Sequence, residues 1–180
     1  STVSKFGGAV RYSTLAAIID AAEPSITRNN TSFRLRKDVK PVINTFASYE
    51  VCFSNPLKLD CDNSILSSTG FRMEVNGVFD EKVYFMEDDS VGNIRVFYIT
   101  ENNRKVVTNN FFGTIDYETG DLLIGFETPI KIIDVTTDNS FIELRVIPRE
   151  QDVEARESVF LNLDIAQSAI NSLTDSKIAK

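Results

Sequence analysis

Histidine is absent from this chain of 180 residues. Its absence removes the commonest general base, the usual metal ligand and every catalytic triad built on imidazole. Cysteine is scarce, with Cys52 and Cys61 alone. A disulfide-stapled secreted scaffold carries more, so two buried free thiols are expected, a single bridge being the alternative. No run approaches the roughly 18 apolar residues of a membrane-spanning helix. The opening STVSKFGGAV has neither the basic nor the apolar region of a signal peptide. It also lacks an initiator Met, as expected of a piece of a longer chain. Neither a nucleophile elbow nor a glycine-rich phosphate loop occurs, and no enzyme activity is expected. Positive charge is in deficit, with a formal net charge of −7. That disfavours phosphate-driven nucleic-acid binding and reads as a solubility device.

What is present is bulky and patterned. The apolar fraction is 42%, and thirteen Phe and five Tyr supply core material for one domain over residues 1–180. Ser13 is a good N-cap, and Leu15, Ile18, Ile19 and Ala22 form one helical stripe that ends at Pro24. This stripe is expected to bury Leu15, Ile18 and Ile19. Beyond it, alternation at period two marks strands. Such sets are Phe33 and Leu35; Tyr49, Val51 and Phe53; Phe71, Met73 and Val75; and Val159, Leu161, Leu163 and Ile165. Asn76-Gly77 and Glu118-Thr119-Gly120 read as hairpin turns. Strands are expected over Asn93–Thr100, Thr114–Tyr117, Asp121–Phe126, Ile130–Val135 and Phe141–Ile147, and a polar surface loop over Leu57–Thr69. Ala166, Ile170 and Leu173 share the stripe of a short C-terminal helix. The fold class is α+β: mainly antiparallel sheet with hairpins, one short N-terminal helix and that C-terminal one.

Few residues suggest chemistry. Asp60-Cys61-Asp62-Asn63-Ser64 has the two-residue carboxylate spacing of a calcium loop, but not its glycine or its twelfth-position Glu, so a surface loop is expected. Glu87-Asp88-Asp89 reads as a solvated turn. Asp116, Asp121 and Asp134 fall at hairpin ends, where Asp serves turn geometry. Arg28, Arg34 and Arg36 are the candidate interface residues, because guanidinium forks suit carboxylate partners. An ordinary solvated strand face accounts for them equally well. Phe111-Phe112 is the one aromatic pair suited to a binding surface, and a core role is expected for it.

The order of segments resembles a known family. GGAVRYSTLAAIIDAAEPSITRNNTSFRLRKDVKP is followed by SYEVCFSNP, STGF, GTIDYETGDLLIG and LRVIPREQDV. Over roughly Phe6 to Leu173 this is similar to the C-terminal portion of the baseplate wedge subunit of T-even-type contractile-tail phages, a relative of J-type baseplate proteins. Ile26–Asn29 and the Arg34-Leu35-Arg36 strand are the nearest matches. Ser54 stands where the family often has glycine. The resemblance implies a structural role without catalytic, cofactor or metal residues. It further implies a homodimer that contacts other wedge proteins in a ring around the tail tube. Its place would be the virion baseplate, after assembly in the host cytoplasm. No nucleic-acid, membrane or small-molecule partner is expected. The alternative is a receptor- or carbohydrate-binding β domain of a tail fibre or adhesin.

Overall fold

Period-two alternation becomes a sheet whose two ends almost meet. The computed structural model describes residues 9–22, 31–150 and 153–154. Along them run β1 (Ala9–Val10), α1 (Tyr12–Ala22), β2 (Leu35–Val39), β3 (Phe46–Ala47), β4 (Tyr49–Cys52), β5 (Ser67–Ser68) and β6 (Phe71–Val75). There follow β7 (Val78–Phe79), β8 (Tyr84–Asp88), β9 (Asn93–Ile99), β10 (Lys105–Asp116), β11 (Asp121–Ile124), β12 (Ile130–Val135), β13 (Ile142–Val146) and β14 (Val153–Glu154). All pairings are antiparallel, so the expected α+β, mainly antiparallel class holds for the described residues.

The large sheet runs β3-β12-β6-β8-β9-β10-β11-β4, with β7 appended to β6. Its end strands β3 and β4 are separated only by Ser48 in the chain. Ser48 Oγ donates to the Gly125 carbonyl at 2.8 Å, between β11 and β12. One bent strand thus runs alongside another, and the sheet is nearly a closed barrel. A second sheet, β2-β13-β5, packs against it.

One core fills the space between. Phe71, Met73, Tyr84, Met86, Ile94, Val96, Leu122, Ile124 and Ile132 come from the large sheet, and Ile142, Leu144 and Val146 from the small one. Full burial of each such side chain is worth about 1.5–3 kcal/mol. Both predicted turns form. Asn76 and Gly77 have φ of 51° and 78°, and Gly120 has φ of 77°. A Cβ on Gly120 would stand 2.4 Å from the Asn55 carbonyl, so close approach as well as φ demands glycine there.

Three expectations are corrected. Helix α1 buries none of its residues, and Ile18 is 60% exposed. Its stripe therefore does not enter the barrel core. Leu57–Thr69 is no surface loop: Leu57, Ile65 and Leu66 are buried, and β5 pairs with β13. Both cysteines are free, but exposed rather than buried. Cys52 sits at an outward position of β4, where Val51 takes the inward one. The predicted strand Val159–Ile165 and the C-terminal helix lie outside the described residues.

Candidate functional site

Of the predicted interface arginines, the structure describes Arg34 and Arg36. Arg28 lies outside the described residues. Arg34 is exposed just before β2, and Arg36 is exposed within it. Arg36 already spends its fork inside the chain: Nε and Nη2 donate to Asp38 Oδ1 and Oδ2 at 2.7 and 2.9 Å. Nη2 also lies 2.7 Å from Glu143 Oε1. The Asp38 hydrogen bond holds the Arg36 pKa above its ordinary value.

The carboxylates of the Asp60 segment serve the loop. Asp60 Oδ1 accepts the Asp62 and Asn63 amides at 3.1 and 3.2 Å, and Oδ2 accepts Lys58 Nζ at 2.9 Å. Lys58 and these amides draw its pKa down. Among the described residues no three His, Cys, Asp or Glu side chains are placed to share a metal ion. Asp116 Oδ1 caps its hairpin by accepting the Glu118 and Thr119 amides. Asp121 is held below its usual range by Cys52 and Thr119, and Asp134 pairs with Arg72 at 2.8 Å.

Sequence reasoning missed the acid run. Glu87-Asp88-Asp89 is not a solvated turn, since Glu87 and Asp88 are buried and lie in β8. Tyr84, Met86 and Asp88 alternate inward, so a carboxylate occupies a core position. Asp88 is 1% exposed and accepts from every side. Its Oδ1 takes the Ile65 and Leu66 amides at 2.7 and 2.9 Å and meets the Ser64 hydroxyl. Its Oδ2 takes Tyr117 Oη at 2.7 Å and the Ser90 amide at 3.3 Å. Burial, then Asp88, pushes the Tyr117 phenol well above its usual pKa. On the outer face Glu87 joins Arg95 and Lys105 at 2.9 and 2.6 Å, while Lys105 also covers the Phe97 ring. Burial tends to raise the Asp89 pKa, but bonds from Asn93 and Val91 outweigh it and leave the group lowered. These acids are cross-links with their partners in place.

A shallow groove of about 380 Å³ runs between the facing edges of β2 and β4, beside Asp38, Val39, Tyr49 and Glu50. An internal gap of about 10 Å³, walled by residues such as Met86, Ile124, Ile130 and Leu144, is too small and too apolar for a ligand.

Convex surface is more telling. Phe112 is buried against Phe71, their ring centroids 6.2 Å apart, as a core role requires. Its neighbour Phe111 is 70% exposed, which corrects the core reading for that half of the pair. Phe46 and Phe126 are 62% and 53% exposed, and Val42 and Ile43 are also open. These side chains belong to segments that meet around Gly125. The Gly125 amide donates to the Phe112 carbonyl at 2.9 Å, and a Cβ on Gly125 would stand 3.2 Å from the Ala47 carbonyl. Large apolar side chains gathered in water mark interaction surfaces.

Among the described residues no helix is long and apolar enough to cross a membrane. No protein-family model, curated protein or solved structure matches this chain.

Proposed function

We propose that this chain is a structural, interface-forming subunit of a contractile phage-tail baseplate wedge, acting through contacts with a second copy and with other wedge proteins rather than through catalysis. The observation that carries the assembly reading is the exposure of Phe46, Phe111 and Phe126 on segments that meet around Gly125. Buried acids spent on cross-links favour the same reading. The wedge assignment rests on the ordered sequence resemblance. It gains one support from geometry: Ser54, where the family often has glycine, has φ of +55°, in the left-handed region that glycine favours. Virion localisation belongs to the same proposal.

The test is mass spectrometry of purified tails from particles whose genome encodes this reading frame. The chain is expected in fixed stoichiometry with other baseplate proteins. Its absence from intact tails sinks the assignment. The second reading, a receptor- or carbohydrate-binding domain, is favoured by the exposure of Phe111 beside Phe126. Saturable glycan binding that is lost on Phe111→Ala supports it against the first.

A further inference from the structure

We infer that the exposed patch carrying Phe111 and Phe126 is the surface through which two copies of this chain pair, an inference that rests on the assembly reading above and assigns it residues. The backbone is shaped to present this surface. From Asn109 to Gly113, β10 takes four steps to cover what β9 covers in two, from Val96 to Ile94. The surplus bulges outward at Asn110 and Phe111, while Phe112 turns into the core. The bulge is pinned at both ends. The Phe111 amide donates to Asn109 Oδ1 at 2.8 Å. At Gly113 a Cβ would stand 2.3 Å from the Leu123 carbonyl, so only glycine allows the strands this close. Gly113 pairs with Ile124, and the Gly125 amide bonds to the Phe112 carbonyl. The next positions along the two strands are Phe111 and Phe126.

Area and charge both favour a second copy as the occupant. The exposed parts of Phe46, Phe111 and Phe126 amount to nearly two whole side chains, roughly 370 Å² at about 200 Å² each. Two such patches face to face, with Val42, Ile43 and a polar rim added, approach the lower end of the roughly 1,200–2,000 Å² of a stable interface. A chain of net charge −7 repels its own copies, so self-association requires a patch poor in acid. Here Asn44, Thr45, Ser48, Asn110 and Thr128 are neutral, and of the charges beside them Lys131, which lies over the Phe46 ring, is paired with Glu74, so that Glu127 is the acid left. A two-fold axis lets each copy offer the same patch to the other.

Sedimentation velocity from about 1 to about 100 µM tests this on the intact chain. Wild type is expected to dimerise within that range. The double variant Phe111→Ser, Phe126→Ser is expected to weaken pairing at least roughly tenfold with its melting temperature unchanged. Val78→Ser with Phe79→Ser, which alters open residues of the β6–β7 hairpin, is expected to leave pairing intact. Dimers that survive the double variant overturn this surface and leave the assembly reading standing. A chain monomeric throughout overturns the pairing itself, whereas the assembly reading falls only if purified tails also lack the chain.

Discussion

Replacing Asp88 by alanine is expected to be among the most damaging single changes in this chain. The carboxylate binds the buried Ile65 and Leu66 amides with one oxygen and Tyr117 Oη with the other. Alanine leaves all three donors without that acceptor, two of them on residues the core encloses. Each buried donor left unmade costs about 1–3 kcal/mol, so the loss of three is about 3–9 kcal/mol. That is a large share of the roughly 5–15 kcal/mol by which domains are stable. At about 2–4 °C per kcal/mol for a chain of this size, the melting temperature falls by at least about 6 °C. Asp88→Asn keeps one acceptor for the two amides, and the Tyr117 hydroxyl can turn to accept from the new amide. Its expected cost is nearer 1.5–3 kcal/mol, following the worth of a bond to a charged group. Asp62→Ala, on the exposed loop, is the control and stays within about 0.5 kcal/mol. Urea unfolding followed by circular dichroism measures all three. If Asp88→Ala costs less than about 1 kcal/mol, the carboxylate does not hold the 57–69 segment in place.

The two adjacent phenylalanines are expected to part company: Phe112→Ala costs about 3–5 kcal/mol in thermal unfolding, while Phe111→Ala stays within about 0.5 kcal/mol. Ile18→Ala on the exposed stripe of α1 is likewise near neutral, and a loss above about 2 kcal/mol would show the helix face to be covered. In acid, Asp80 matters because its bond from Lys82 lowers its pKa to about 2. A depressed carboxylate contributes stability that is complete above about pH 4 and lost as pH falls through about 2. Asp60 and Asp89 shift the same way, so the urea midpoint is expected to hold from pH 7 to about 5 and then drop; Asp80→Asn lessens the drop, and an unchanged midpoint down to pH 2 refutes this. At the alkaline end burial raises both Tyr84 and Tyr117, so stability declines above about pH 10, where the unfolded phenols ionise first.

Local signals were the readable ones. Alternation at Phe71, Met73 and Val75 and the turns at Asn76-Gly77 and Gly120 are properties of a few neighbouring residues, and each appears in the fold. What sequence reading lost was decided across the chain. Asp88 looks like part of a solvated run because its donors lie 22, 23 and 29 positions away. The signal was present: Tyr84, Met86 and Asp88 continue one period-two set, and an acid ending such a set points inward. For the same reason the 57–69 segment seemed polar, although its Leu57, Ile65 and Leu66 had a core to enter. Phe111 and Phe112 were inseparable in sequence because only a bulge, set by pairing with β9 and β11, sends one outward and the other inward. Arg34 and Arg36 were legible as exposed, but not that Asp38 and Glu143 already hold Arg36.

The nearly closed barrel has a kinetic consequence. From β8 to β11 each strand pairs with the next across a short turn, so these ladders close small loops and form at little entropic cost. The seam is different. Ser48 reaches Gly125 across 77 positions, and β11 meets β4 over a similar span. Loop closure of that length has to wait until the hairpins are in place to reward it. The seam therefore forms late and opens early. In hydrogen exchange the amides flanking Ser48 should be released before those of β8 and β9. Because Phe126 follows Gly125 directly, a partner seated beside it would act as a latch on a late-forming joint of the molecule.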